Sequence, residues 1–272
     1  MFKELTPQVI TIAERAGAAI MEIYQLSDVD VTHKSDQSPL TLADSTASKI
    51  IEDGLQKTTP DWPIISEESS ICDYQERKEW NFFWLVDPLD GTKEFLNKNG
   101  EFTVNIALIE NGLPILGVVY APALDLFYFG GPNLGAYKLE NGQQSEIVSN
   151  FNLVSPYKIS VSRSHMDIET ETLLEKLQPH TITPMGSSLK ICLVAEGRSD
   201  LYPRLGPTME WDLAAAHAIL MGAEGDIYNL KGERFIYNKE DLKNERFFAS
   251  SKHQQQHFLG LLKKQVIHGA QI

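Results

Sequence analysis

The period of the hydrophobic residues changes twice along this chain, and those changes restrict its fold more than any other feature. Before about Lys57 the pattern is helical. Val9, Ile12, Ala13, Ala16, Ile20 and Ile23 recur at helical spacing, with Thr6 as a cap and Pro7 in the first turn. A Ser-, Asp- and Pro-rich loop, Lys34 to Pro39, leads to a second helix over Ala43 to Lys57, where Thr41 and Asp44 are spaced as a capping pair. From Pro63 the pattern becomes short apolar runs: Ile64–Ser66, Phe82–Val86, Phe102–Ile109, Pro114–Tyr120 and Leu126–Phe129. Asn111-Gly112 reads as a hairpin turn between two of them. Two helices against a mostly antiparallel sheet follow from this half. Beyond Ser155 strand and helix alternate. The strands fall at Ile159–Val161, Ile182–Met185, near Leu201, near Ile227 and at Phe247–Ala249, and the helices at Ile168–Gln178, Ser188–Glu196, Trp211–Met221 and from His253. That rhythm predicts an α/β lobe. The polar segment Glu140–Ser155 divides an α+β lobe, 1–155, from an α/β lobe, 156–272.

Composition narrows the setting. With 272 residues, 42% hydrophobic and 22% charged, the chain can bury one large core or two packed ones. Its 24 basic and 37 acidic residues give a net charge of −13, which disfavours a binder of nucleic-acid polymers. Met1 to Tyr24 carries Glu4, Glu14 and Arg15 and reads as neither signal peptide nor anchor. Cys72 and Cys192 suit a reducing cytoplasm and lack zinc spacing.

Three acidic segments hold the chemistry. The apolar run Phe82 to Val86 ends on Asp87-Pro-Leu-Asp90-Gly-Thr92. Pro88 fixes a dihedral and removes an N–H, while Gly91 permits close approach of main chain to a ligand. Two carboxylates at the end of a buried strand repel one another unless a cation lies between them. Ile64-Ile-Ser-Glu67-Glu68 is a second apolar strand ending in acids, and Asp212 lies at the start of a helix. All-oxygen donors of this type suit Mg²⁺ rather than zinc. Taken singly, the first reads equally well as a surface turn, while Glu67 and Glu68 read rather as a solvated strand end and Asp212 rather as an acid at the positive end of a helix.

Together they resemble the inositol-monophosphatase superfamily of Mg²⁺-dependent, lithium-sensitive phosphatases. The segments Leu85–Phe95, Gly100–Ala107, Ser162–His165, Gly186–Lys190 and Leu201–Arg204 are similar to its CysQ-type 3′(2′),5′-bisphosphate nucleotidase branch. The resemblance covers nearly the whole chain and implies a layered αβαβα sandwich of the sugar-phosphatase type. It implies that Glu67, Asp87 and the carbonyl of Leu89 bind one Mg²⁺, that Asp87, Asp90 and Asp212 bind a second, and that a looser third ion lies near Glu67. Asp44, Thr92 and Glu67 are the catalytic residues it implies, with the Thr92 hydroxyl, oriented by Asp44, positioning the attacking water. Gly91 and Thr92 would offer N–H groups to the phosphate. The substrate would be held by Glu67, Leu89, Asp90, Gly91, Thr92 and Asp212 around the reacting phosphate, and by His165, Ser187, Lys190 and Arg204 around the nucleotide.

The implied reaction removes the 3′-phosphate of 3′-phosphoadenosine 5′-phosphate to give AMP. The same activity on the 5′-phosphosulfate would yield adenosine 5′-phosphosulfate and link the enzyme to sulfur assimilation. An inositol or sugar-phosphate phosphatase, or a catalytically silent metal- or nucleotide-binding regulator, are the alternatives. No obligate protein partner is expected. The implied location is the cytoplasm, with peripheral association at the cytoplasmic face of the inner membrane as a further option. Trp62, Trp80, Trp84 and Trp211 read as packing residues, and the remaining histidines form no ligand spacing.

Overall fold

The computed structural model describes residues 2–25, 31–33 and 39–266, with side chains over 2–25 and 42–263. Helix α1 spans Phe2–Tyr24, strands β1 and β2 (Val31–His33, Pro39–Thr41) form a small antiparallel pair, and helix α2 spans Leu42–Thr58. Helix α1 begins earlier than the Thr6-Pro7 signal indicates. Pro7 is its sixth residue and the Thr6 hydroxyl donates back to the Phe2 carbonyl at 3.0 Å, so neither residue starts the helix. Most of the loop Lys34–Pro39 and the Thr41 side chain lie outside the described residues.

The first large sheet follows chain order: β3 (Ile64–Ser66), then after the short helix α3 (Tyr74–Arg77) β4 (Phe82–Asp90), and after helix α4 (Thr92–Leu96) β5 (Thr103–Glu110), β6 (Leu113–Ala121), β7 (Leu126–Gly131), β8 (Gly135–Glu140) and β9 (Gln143–Glu146). Only β3 and β4 run parallel; the other neighbours are antiparallel. The β5–β6 turn has Asn111 and Gly112 both at positive φ, 50° and 77°, as the Asn-Gly signal predicts. The second sheet has the order β11-β10-β12-β14-β13 and is built from β10 (Tyr157–Ser162), α5 (Ile168–Lys176), β11 (His180–Met185), α6 (Leu189–Ala195), β12 (Leu201–Arg204), α7 (Glu210–Gly222), β13 (Gly225–Asn229) and β14 (Phe247–Ser251). Helix α8 (Gln255–Val266) completes the fold.

Side-chain alternation explains the layering. In β4, Trp84 and Val86 join the core beneath α1 and α2, while Phe83 and Leu85 join the core containing α6 and α7. The same second core takes Ile227, Phe247 and Ala249 from the five-stranded sheet, whose other face packs Ile159, Val161 and Phe248 against α5 and α8. The result is helices, sheet, helices, sheet, helices: the αβαβα sandwich. Among the described residues no helix is long and apolar enough to cross a membrane.

Candidate active site

The parallel register creates the first acidic contact. Ser66 lies opposite Val86, so the residues that follow, Glu67 just after β3 and Asp87 within β4, lie side by side, and the Glu67 N–H donates to the Val86 carbonyl at 3.2 Å. Asp87 then pairs with Asn105 but Asp90 pairs with Thr103, so β4 carries one extra residue across Pro88-Leu89. A bulge of this kind returns Asp90 to the face that Asp87 occupies, which a regular three-residue step would not do. The Leu89 N–H turns back to Asp87 Oδ1 at 3.1 Å. Asp212 arrives from the opposite layer as the third residue of α7, its Oδ2 accepting the Met209 N–H at 2.8 Å. Its helix-start role and its place in the acidic cluster therefore coexist.

Carboxylate oxygens of Glu67, Asp87 and Asp212 all lie within 4.8 Å of one another. Burial holds Asp87 well above the ordinary carboxylate range, and the charges of Glu67, Asp90, Asp212 and Asp44 add to the effect. Asp212 is pushed up to about 8 by burial and then by the charge of Asp90, against the opposing Met209 N–H. Asp90 is also raised by burial, with Lys190, the Ser188 N–H and the Asn105 amide acting against it. Hard oxygen donors that repel one another at this range fit a divalent cation such as Mg²⁺.

The cluster forms one wall of a cavity of about 790 Å³. Glu67, Asp90, Gly91, Thr92, His165, Ser187, Lys190, Arg204 and Asp212 all line it. Nine of the sequence-predicted site residues thus share one cavity. Asp87, Leu89 and Asp44 do not line it; each is buried, and Asp44 lies in the first turn of α2. Gly91 has φ +91°, and a β-carbon there would come within 2.3 Å of Ser187 Oγ, so both backbone and space demand glycine.

The nucleotide-side residues are more engaged with the protein than the sequence suggests. Lys190 is buried, its Nζ donates to the Ser187 carbonyl at 2.5 Å, and burial lowers it to about 8 despite the nearby charge of Asp90. Ser187 sits at φ +50° with its hydroxyl 2.7 Å from the Glu101 carbonyl and 2.8 Å from the Asp90 carbonyl. The Ser188 N–H donates to Asp90 Oδ2 at 2.7 Å, and the Ser188 hydroxyl to the Asp212 carbonyl at 2.6 Å. Arg204 donates to the carbonyls of His165 (3.2 Å) and Pro207 (3.1 Å), and His165 is lowered by burial and then by Lys93 and Arg204.

Ser188 and Asn105, whose Nδ2 lies 3.0 Å from Ser188 Oγ and 3.4 Å from Asp90 Oδ2, belong to this site although sequence reasoning gives them no role. Lys93 and the buried Glu94 also line the cavity. Glu94 falls within the Leu85–Phe95 segment, but its spacing carries no signal for a buried acid.

The family model of the inositol monophosphatases matches residues 1–268. The 3′(2′),5′-bisphosphate nucleotidase CysQ of Escherichia coli K12 is 46% identical over 245 residues, spanning 89% of this chain and 98% of that protein. The CysQ nucleotidase of Buchnera aphidicola is 42% identical over 255 residues, spanning 92% and 95%. The crystal structure of CysQ from Bacteroides thetaiotaomicron superposes with a TM-score of 0.83 at 40% identity, covering 93% of this chain and 98% of that one. Matched along almost its whole length in sequence and in fold, this chain belongs to the inositol monophosphatase family.

Proposed function

We propose that this protein is a Mg²⁺-dependent 3′(2′),5′-bisphosphate nucleotidase that removes the 3′-phosphate of 3′-phosphoadenosine 5′-phosphate, and of the corresponding phosphosulfate, in sulfur metabolism. The observation that carries the reading is the cavity of about 790 Å³ that is lined both by the carboxylates Glu67, Asp90 and Asp212 and by Lys93, His165, Lys190 and Arg204. A monophosphate ester needs only the carboxylates and their metal, whereas a nucleotide with two phosphates needs cationic side chains as well. The CysQ nucleotidases at 46% and 42% identity support the choice of substrate.

Glu67, Asp87, Asp90, Asp212 and the Leu89 carbonyl would hold two or three Mg²⁺ ions, which when bound neutralise phosphate oxygens and make water more acidic. Gly91 immediately precedes α4, and its N–H with that of Thr92 would meet the reacting phosphate. The Thr92 hydroxyl would be oriented by Asp44, accept a hydrogen bond from the attacking water and fix its line of approach. Glu67, 4.8 Å or less from Asp87 and Asp212, would take up the proton lost by that water. His165, Ser187, Lys190 and Arg204 would hold the remote phosphate and the nucleoside. We place the boundary between the two lobes near residue 155 and the enzyme in the cytoplasm, free or peripheral to the membrane.

A substrate panel tests this. The expected order of kcat/KM places the bisphosphate nucleotide first and inositol 1-phosphate well below it, with no turnover when Mg²⁺ is chelated. The reverse order would make this an inositol or sugar-phosphate phosphatase. Phosphate release from none of the esters would make it a silent regulator.

A further inference from the structure

Arg163 and Glu101 form an ion pair that joins the two sheets just outside the cavity. Arg163 Nε and Nη2 each lie 2.7 Å from an oxygen of Glu101, a two-pronged fork, and Nη2 also donates to the Pro184 carbonyl at 2.9 Å. The Arg163 N–H donates to the Met185 carbonyl at 3.2 Å, so the arginine is fixed to the end of β11 at both backbone and side chain. Glu101 does more than accept the fork. Its Oε2 takes the Gly186 N–H at 2.8 Å, and its main-chain carbonyl is 2.7 Å from the Ser187 hydroxyl. A β-carbon on Gly186 would stand 2.5 Å from the Glu101 carbonyl oxygen, so the two segments are in close main-chain contact.

What this contact holds is the turn at residues 186–188. Ser187 has φ +50°, a conformation that non-glycine residues adopt only when their surroundings impose it. The hydroxyl of Ser187 between two carbonyls and the Gly186 N–H on Glu101 impose it here. The turn in turn directs the Ser188 N–H at Asp90 Oδ2 (2.7 Å) and the Ser187 carbonyl at Lys190 Nζ (2.5 Å). Neither Arg163 nor Glu101 lines the cavity. Ion pairs with one partner 42% exposed add little to overall stability.

We infer that Arg163 and Glu101 are positioning residues, whose clamp sets the 186–188 turn and through it the orientation of the Asp90 carboxylate and of Lys190. The inference rests on the cavity being the phosphatase site proposed above. The clamp reaches the reacting phosphate through Asp90 and the remote phosphate through Lys190, so its loss affects every substrate, the bisphosphate at least as much as inositol 1-phosphate.

The test uses Arg163→Ala, Arg163→Lys, Glu101→Gln and the double variant Arg163→Ala/Glu101→Gln. For Arg163→Ala and Glu101→Gln kcat should fall by about tenfold or more on both the bisphosphate nucleotide and inositol 1-phosphate, with KM for inositol 1-phosphate little changed. Mn²⁺ binding, measured by calorimetry without substrate, should weaken by about the same factor. The double variant should lose no more than the worse single, because the pair acts as one unit. Arg163→Lys keeps the charge but not the fork and should recover only part of the loss. A lower melting temperature with kinetics and Mn²⁺ affinity unchanged would reduce the pair to a structural tie and overturn the inference. A loss confined to the bisphosphate would overturn it as well, by moving the pair to the remote phosphate. Should wild type hydrolyse neither ester, the proposed function fails, and the Mn²⁺ measurement still decides whether the clamp shapes the acidic wall.

Discussion

Gly117 of β6 lies so close beneath Ala215 of α7 that a β-carbon at residue 117 would be 2.0 Å from the Ala215 carbonyl oxygen and 2.8 Å from its carbonyl carbon. Both obstacles are main chain, so a side chain at 117 must lift the helix. Because α7 carries Asp212, the lift reaches the acidic cluster. Gly117→Ala should cost about 1–3 kcal/mol in urea denaturation and raise the Mg²⁺ concentration needed for half-maximal turnover. Gly260 in α8, where an added β-carbon meets nothing within 4 Å, is the control. Gly260→Ala should gain about 0.5–1 kcal/mol and leave the Mg²⁺ response unchanged.

Asp212→Asn should abolish Mg²⁺-dependent turnover while making the metal-free protein more stable near neutrality. The amide can still accept the Met209 N–H, so the start of the helix is kept. The sign follows from linkage. Asp212 titrates at about 8 in the folded chain against 3.8 for an ordinary exposed aspartate, so the native state binds more protons and stability falls as pH rises between those values. The melting-temperature advantage of Asp212→Asn should therefore be near zero at about pH 4 and complete above about pH 8. Asp87 and Asp90 are shifted the same way and remain in the variant, so both proteins weaken with pH and only their difference is diagnostic. A large fall in the metal-free melting temperature at all pH values would assign Asp212 a structural role instead.

Lys190→Met should harm the bisphosphate nucleotide about tenfold to a hundredfold more than inositol 1-phosphate in kcat/KM, the usual worth of a charge-assisted contact. The pH dependence is the sharper readout. Lys190 loses its proton at about 8, so it is a cation below that pH and neutral above it. For wild type, kcat/KM on the bisphosphate should decline as pH rises through about 8, and the variant should lack that decline. Equal losses on both esters would restrict Lys190 to balancing Asp90 and Asp212.

Arg77 is buried and donates to Asn238 Oδ1 and the Lys239 carbonyl, both at 2.7 Å, and to the Glu240 carbonyl at 2.8 Å. That loop in turn donates two N–H groups to Glu210, at the start of α7. Arg77→Ala leaves three acceptors without their donor and should cost about 2–4 kcal/mol in equilibrium unfolding. Arg77→Lys should recover little, because one ammonium cannot span three acceptors set apart for a planar fork.

Lithium chloride should inhibit turnover at concentrations where potassium chloride of equal ionic strength does not, since screening alone treats both salts alike. Identical curves for the two salts would remove lithium sensitivity from the proposal.

Local patterns explain what is readable without the structure. Asp87 and Asp90 share a hexapeptide with Pro88 and Gly91, and β4 has strict alternation between its two cores, so both the acidic motif and its strand are visible in sequence. The hairpin β8–β9 is not, although Asn141-Gly142 turns it with φ 51° and 74°, as Asn111-Gly112 turns β5–β6. Every residue of β9 is exposed, so it lacks the apolar alternation that marks a strand, and Glu140–Ser155 reads only as polar. The Arg163–Glu101 fork spans 62 positions and rests on main-chain contacts at Gly186 and Ser187, which leave no periodic trace. The start of α1 is obscured for the opposite reason: Thr6-Pro7 is a strong local signal that α1 passes through on its way from Phe2.

The acidic cluster draws Glu67 and Asp87 from the first third of the chain and Asp212 from beyond its middle, on a helix packed against the opposite face of the seven-stranded sheet. Chains are synthesised from the N-terminus, and domains fold as units in that order. On a ribosome, then, Gly91 and Thr92 and most of the carboxylates exist while α7 is still unmade. A chain that stops short of α7 carries Glu67 and Asp87 without Asp212, and so lacks one side of the acidic cluster. The cluster closes only when α7 settles over Gly117, so a chain cut before α7 should bind Mn²⁺ more weakly than the full one.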